Sequence, residues 1–361
     1  MLISMKKDKQ QWKHLMVIIR NELIKKDKMN KTALLTVTGA VSADIVTRSL
    51  RRMGFKLIGC DSHPKEWIVG SNEVDVFYQA PLISNNEAYL EFIKEVCIKE
   101  NVSFVLPFID IEVDLFSDNR EWFDEHGIKL CISGKEAIDI LRNKKKLADF
   151  IAKECPDTRS IPTEILRDIK ELRWDFPVVC KPYNGRSSQG LRYIHNQEEW
   201  EDFCAVADKN LYIVEPFVDG PVVMVEIIRQ PDTHKVVAMT RRELMSTPHG
   251  LSTTVYLYED KALEESAKKL AEKVGVVGNV NFEYLLDSKG RYHFVECNPR
   301  FSAGCEFSCF GGYDTIENHI KCFMGEEIED YHFKHTMVVA RRYEEVLTCV
   351  GKEIPYCDTD K

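Results

Sequence analysis

What the 361-residue chain lacks narrows its function first. It has no run of about eighteen apolar residues, so no helix long enough to cross a bilayer is expected. It has no basic stripe: 49 Lys and Arg face 58 Asp and Glu, a net charge of -9 spread along the length. Nucleic acid is therefore not an expected partner. The 12 cysteines include no Cys-x-x-Cys pair, and Cys305 and Cys309 have no adjacent pair of histidines. Cysteines set singly in apolar runs, such as Cys60, Cys97, Cys131 and Cys180, are expected to be reduced thiols of a cytoplasmic protein rather than zinc ligands. The dinucleotide fingerprint Gly-x-Gly-x-x-Gly and the Walker A Gly-Lys-Ser/Thr are both missing, which argues against NAD, FAD or a P-loop. Internal repeats and low-complexity segments are absent as well.

Present instead is the composition of a globular protein, 44% hydrophobic and 30% charged. The length suits two or three domains. In residues 1–30, Trp12, Leu15, Ile19 and Leu23 recur at helical spacing among lysines, and the apolar stretch Leu15–Ile19 is too short for a signal peptide. A helical extension packed on the next domain is expected, with contact to a membrane surface or a partner as the alternative. Residues 31–142 alternate strand and helix: strands at 32–38, 56–60 and 102–106, helices at 42–53 and 86–100. That order predicts a parallel, doubly wound α/β sheet. Asp110 and Glu112 follow the strand at 102–106, where ligands of such sheets gather, and could receive an ammonium group; acidic residues starting a helix are the alternative. After Asn143 come a helix, strands near 173–181, 191–194, 211–215 and 222–228, and a helix at 261–274, an α+β pattern.

The stretch Gly290-Arg-Tyr-His-Phe-Val-Glu-Cys-Asn-Pro-Arg300 is the most informative. A strand there brings Glu296 and Asn298 to one face before Pro299 ends it and Arg300 follows. Neighbouring oxygen ligands suit a hard cation such as Mg²⁺, which usually shares its coordination with substrate phosphates. The preceding strand, Asn279–Leu286, carries Glu283. A four-residue loop at 287–290 sets Leu286 opposite Arg291 and Glu283 opposite Phe294, making Glu283 the diagonal neighbour of Glu296 at ~7–8 Å. A slip of one residue turns Glu283 to the other face; a solvated hairpin with outward charges is the bland alternative. Upstream, Lys181 ends a strand before Pro182-Tyr-Asn-Gly185-Arg-Ser187-Ser188-Gln-Gly190. Such a loop can set backbone N–H groups against phosphate oxygens, with Lys181 as a mobile positive charge. Arg300 can clamp a phosphoryl group or a carboxylate in two-pronged fashion, and the loop with Ser302 and Gly304 can close on the acceptor.

The run Phe-Val-Glu-Cys-Asn-Pro-Arg resembles the metal-binding signature of the ATP-grasp superfamily, in the style of its carbamoyl-phosphate-synthetase-like and biotin-carboxylase-like members. The resemblance extends from about residue 32 to about 325, with several motifs in order. It implies a Rossmann-like domain at 31–142, a small lid subdomain at 143–218, and a large subdomain at 219–361 that carries the metal site. It implies further that Lys144, or its neighbours Lys145 and Lys146, contacts ATP, and that the glycine loop is the lid. Glu215, Phe217 and Val218 would hold adenine. The family's usual ribose-binding Glu is replaced by Pro221 and Val222, so that ribose contact falls to Asp219 or is lost. The loop His249-Gly-Leu-Ser-Thr-Thr lines the reaction centre of the family; a solvated loop histidine is the equal alternative.

The implied activity is an ATP-dependent carboxylate–amine ligase working through an acyl phosphate, with ATP and two Mg²⁺, Mn²⁺ being able to substitute, on Glu283, Glu296 and Asn298. Lys181, Arg300 and His249 are the catalytic candidates. Small carboxylates and amines, amino acids or small peptides first, are the expected substrates, and a homodimer is common in the family. The alternatives are a carboxyphosphate-forming enzyme acting on bicarbonate and a non-catalytic nucleotide-binding regulator.

Overall fold

The computed structural model describes residues 31–186, 188–248 and 250–351. The expected extension at 1–30, Ser187 and His249 lie outside the described residues. Three sheets organise the rest.

The first is parallel, with β1 (Thr32–Leu35), β2 (Lys56–Asp61), β3 (Val76–Gln79), β4 (Phe104–Leu106) and β5 (Lys129–Leu130) in the order β3-β2-β1-β4-β5. Its strands are apolar on both faces because helices cover both. Ala33, Leu35, Leu57, Phe104 and Leu106 pack toward the helix Ala43–Arg52, whereas Leu34, Ile58, Cys60 and Val105 pack toward the helix Asn86–Lys99. The alternation expected from the sequence holds, and the two short strands β3 and β5 extend it at the edges. At the mouth of β1 and β2, where a dinucleotide would sit, Asp61 accepts from the Gly39 N–H at 3.0 Å, and a side chain on Gly70 would overlap the Thr38 carbonyl.

The second sheet has four antiparallel strands, β6 (Glu164–Ile165), β7 (Val178–Pro182), β8 (Arg192–Ile194) and β9 (Tyr212–Pro216), in the order β6-β9-β7-β8. Its small core of Val178, Cys180, Ile194 and Val214 is covered by Trp200 and Phe203 of the helix Gln197–Val206. Residues 217–221 lead from β9 into the third sheet. Gly220 lies there so close to the Leu286 carbonyl that any Cβ would overlap it.

The third sheet runs β14-β13-β10-β11-β12-β15, all antiparallel: β10 (Val222–Gln230), β11 (Lys235–Ser246), β12 (Ser252–Tyr258), β13 (Gly278–Leu286), β14 (Tyr292–Asn298) and β15 (Met337–Ala340). One face, with Val223, Val225, Ile227, Phe282 and Tyr284, packs on the helix Lys261–Val274. The helix Lys144–Glu154, grouped with the small subdomain in the sequence, packs into this same core through Leu147 and Ile151. The segment from Leu251 to Thr254, expected as loop, mostly belongs to β12.

The β13–β14 register differs from the expected one in two compensating ways. The connection is one residue longer, so Leu286 faces Tyr292 instead of Arg291; then an irregularity between Tyr284 and Glu283 inserts Val295 as an extra residue. Tyr284 faces Phe294, but Glu283 faces Glu296 and Asn281 faces Asn298. The acids are therefore direct, not diagonal, partners. Without the bulge the longer loop would have put Val295 opposite Glu283 and turned Glu296 toward the core.

Candidate functional site

A cleft of about 640 Å³ separates the four-stranded sheet from the face of the six-stranded one that lies opposite the helix Lys261–Val274. The floor is ordered in rows that cross the strands, roughly 7 Å apart along them. Val222 and Leu285 form the row nearest the connection from β9. Next come Glu296, Glu283, Met224 and Arg241 as successive cross-strand neighbours, and then Asn298, Asn281 and Glu226. Apolar, acidic and amide chemistry thus follow one another along a single strand face.

The acidic row is electrostatically strained. Burial and the facing Glu296 carboxylate push the Glu283 carboxyl up to about 8, and Lys181 and Lys144 offset this only in part. Lys144 Nζ lies 3.0 Å from Glu296 Oε2 and donates to the Gly185 carbonyl at 2.8 Å, so it joins the glycine loop to the acidic row. It is the lysine of its triplet that enters the cleft: Lys145 pairs with Asp149 on the helix surface, and Lys146 is exposed. Asn143 accepts from the N–H groups of Lys145 and Lys146 and caps the helix that aims Lys144. Lys181 sits 2.8 Å from Glu215 Oε2, while Thr163 donates to the other Glu215 oxygen at 3.0 Å. Burial disfavours the Lys181 ammonium, but Glu215 and Glu296 outweigh it and raise its pKa.

Arg300 closes the far end. It donates to Asp110 at 3.0 Å, to Asn298 Oδ1 at 3.2 Å and to the Phe301 carbonyl at 3.2 Å. Burial opposes ionisation of Asp110, yet Arg300 and Arg142 overcome it and hold the carboxyl below its usual range.

Of the residues singled out from the sequence, Lys144, Lys181, Gly185, Ser188, Glu215, Phe217, Val218, Asp219, Glu283, Glu296, Asn298, Arg300, Ser302 and Gly304 all line the cleft. Three expectations are corrected. Glu112 is fully buried and receives hydrogen bonds from Thr36, Tyr89 and the Phe108 and Ile109 N–H groups, so it is an internal helix cap and not a substrate contact. Asp110 reaches the cleft only through Arg300, and its carboxylate is committed to the two arginines. Gly190 is a turn residue with φ +74°, set against Pro182 and the Tyr212 hydroxyl rather than in the cleft. Sequence reasoning missed Asn281, Met224, Glu226, Arg241 and Glu243. The signal lay in period two: counting back from Glu283 gives Asn281, and Glu226 is a lone acid inside the apolar run of β10. Arg241, 1% exposed, pairs with Glu226 at 2.6 Å.

Residues 208–345 match the family described as ATP-grasp in the biosynthetic pathway with Ter operon, and residues 42–131 match the PylC-like N-terminal domain. The chain is an ATP-grasp protein. Solved ATP-grasp-like structures superimpose over most of it. A biotin carboxylase from Campylobacter jejuni aligns over 86% of this chain and 75% of its own with a TM-score of 0.70 at 20% identity. The N5-carboxyaminoimidazole synthetase from Staphylococcus aureus aligns over 86% and 82%, TM-score 0.68, 16% identity. An L-amino acid ligase from Bacillus licheniformis aligns over 82% and 75%, TM-score 0.65, 16% identity. At such identities the likeness concerns the fold. In this ATP-grasp chain the rows of the six-stranded sheet, together with Lys144 and Lys181, make up the cleft.

Proposed function

We propose that the chain is an ATP-dependent ligase that activates a small carboxylate as an acyl phosphate and passes the acyl group to an amine. The observation that carries this reading is the facing pair Glu283 and Glu296, two carboxylates with too little positive charge between them, placed in one cleft with Lys144, Lys181 and Arg300. The carboxylates of Glu283 and Glu296 and the Asn298 carbonyl present oxygen ligands side by side on one strand face. That set fits Mg²⁺, or Mn²⁺ in its place, on Glu283, Glu296 and Asn298. Divalent ions there would draw charge from the phosphate oxygens and align the transfer.

The residues divide the remaining work. The backbone of Phe217 and Val218 and the side chain of Glu215 read adenine over the Val222–Leu285 row, and the exposed Asp219 stands near the ribose. Lys181 and Lys144, drawn from their carboxylate partners, take the phosphates. Gly185 and Ser188 cover them and exclude water, which protects the acyl phosphate from hydrolysis. Arg300, held rigid by Asp110, steadies the phosphoryl group as it leaves ADP for a carboxylate oxygen. The amine nitrogen then attacks the acyl carbon, phosphate departs, and the nitrogen loses a proton. Ser302 and Gly304 border the acceptor, and His249 is assigned to the same end from the sequence alone. A lid built on the four-stranded sheet, without the helix Lys144–Glu154 that packs in the large core, a large subdomain at 219–361, a cytoplasmic setting and a homodimer belong to this reading.

A second reading has the same cleft phosphorylate bicarbonate, favoured by the higher superposition scores of the biotin carboxylase and the N5-carboxyaminoimidazole synthetase. One assay decides: ADP release with Mg²⁺·ATP and amino acids singly and in pairs, or with bicarbonate alone. Release needing two amino acids supports the ligase; release on bicarbonate alone supports the second reading. ATP binding without release supports a non-catalytic regulator. Glu296→Ala is expected to abolish ADP release with an unchanged circular dichroism spectrum, and retained release refutes the metal assignment.

A further inference from the structure

One row past the two carboxylates lies a polar group that the mechanism above leaves unused. Asn281, on β13, stands between Asn298 of β14 and Glu226 of β10. It is 1% exposed and lines the cleft. Its Oδ1 accepts from Arg241 Nη2 at 2.7 Å. A guanidinium offers only donors, so the atom facing it must be the carbonyl oxygen, and this fixes which way the carboxamide points. The Nδ2 amino group is therefore turned away from Arg241, and it has no hydrogen-bond partner among the described residues.

Arg241 is immobile. Besides Asn281 it donates to Glu226 at 2.6 Å, to Ser308 at 2.7 Å and to Ser302 at 3.1 Å, which ties β10, β13 and the segment after Arg300 to one fork. Gly304 lies against the same fork; a Cβ there would come within 3.0 Å of Nη2. Holding Arg241 in place explains the Asn281 oxygen and leaves its amino group unexplained. Buried donors rarely go unpaired, and one that borders a cleft is a place for a ligand acceptor.

The order of rows says which acceptor. A nucleotide entering from the β9 connection lays its base on Val222 and Leu285 and its middle phosphates at Glu283 and Glu296. The next row, roughly 7 Å on, falls at the terminal phosphate. Across from Asn281, Arg300 Nη2 donates to Asn298 Oδ1, so a donor group stands on each side of that position.

We propose that Asn281 is an oxyanion ligand of this cleft, its Nδ2 donating to an oxygen of the terminal phosphoryl group of a bound nucleoside triphosphate, with Arg241 as the positioning residue that fixes the amide. This rests on the nucleotide reading of the cleft. It predicts a donor that distinguishes triphosphate from diphosphate.

The test is calorimetric titration of the full chain with Mg²⁺·ADP and with the Mg²⁺ complex of the β,γ-imido analogue of ATP. Asn281→Ala is expected to weaken the analogue about tenfold or more, the size of a hydrogen bond to a charged group, and to leave ADP within about twofold. Asn281→Asp keeps an acceptor for Arg241, so it is expected to melt no lower than the wild type, yet it cannot donate and must show the same selective loss. Arg241→Lys keeps a positive charge beside Glu226 without dictating the amide orientation. It is expected to narrow the analogue-to-ADP ratio with ADP affinity unchanged, a readout that a purely structural role would not move. Two results overturn the assignment: an Asn281→Asp chain that binds the analogue as tightly as wild type, or an Asn281→Ala chain that weakens both nucleotides equally. A wild-type chain that binds neither nucleotide removes the nucleotide reading and this assignment together.

Discussion

Glu283→Gln is expected to make the nucleotide-free protein more stable while removing its response to Mg²⁺·ATP. The Glu283 carboxyl is held near 8 in the fold, against 4.5 as its ordinary value, by burial first and by the facing Glu296 second. A carboxyl raised in this way binds its proton more tightly in the folded chain than in the unfolded one. Its contribution to stability is greatest below about pH 4.5, declines as the pH rises, and levels off once the folded group ionises near 8. From pH 4.5 to 7, at about 1.4 kcal/mol per pH unit, the loss amounts to about 3 kcal/mol. Glutamine has the same shape and no proton to release, so the variant escapes that cost.

Thermal melts of both chains without nucleotide, at a series of pH values from about 5 to about 9, measure it. At pH 7 the variant should melt higher, on the order of 5 °C. The gap should widen with rising pH and become constant above about 8. Adding Mg²⁺·ATP should raise the wild-type melting temperature and leave the variant where it was, because a ligand stabilises only the chain that binds it. A variant that melts below wild type at pH 7, or a gap independent of pH, refutes the claim that the two carboxylates oppose one another in the empty cleft.

Glu112→Ala separates fold from site: loss of a buried carboxylate bonded to Thr36, Tyr89 and two backbone N–H groups should cost about 3 kcal/mol or more in urea unfolding, with the affinity for Mg²⁺·ADP unchanged. Weakened ADP binding in a folded variant would return Glu112 to the site. Gly220→Ala should force the connection between the β9 and β10 strands away from the Leu286 carbonyl and lower nucleotide affinity by about tenfold or more, read by the same titration. Unchanged affinity would mean that the connection does not position the base.

Parts of this arrangement could be read from residue order and parts could not. The parallel sheet was legible because strands buried on both faces are apolar throughout, as Thr32–Leu35 is; β3 and β5 were not, being short and half-covered. Oxygen ligands on one strand face announced the acidic row. Asp110 and Glu112 look alike as neighbours in sequence, but two residues on a helix point about 200° apart, so one reaches Arg300 while the other turns into the core. The Lys144, Lys145, Lys146 triplet was ambiguous for the same reason and is resolved by which face of the helix meets the cleft. Arg241 was invisible because its counter-charge, Glu226, arrives from a different strand, and an arginine followed by a second arginine reads as surface.

The register of the hairpin shows why local rules stop short of the site. Turn chemistry at Asp287–Gly290 favours a four-residue loop, and nothing in Phe294-Val295-Glu296 marks an extra residue: there is no glycine or proline. What selects the bulge is packing on both faces at once. Tyr284 and Phe294 stack edge to face in the core, with ring centroids 5.2 Å apart, which fixes the register at the tip. Phe282 and Cys297 belong to the same core and fix it one step later. Those two anchors are separated by one intervening residue on β13 and by two on β14, so the extra residue must be absorbed between them, at Val295 and Glu296. Absorbing it there delivers Glu296 directly opposite Glu283 and Asn298 directly opposite Asn281. The aromatic core behind the sheet thus sets the spacing of the acids in front of it, and any change to the core anchors that removes the bulge would separate them.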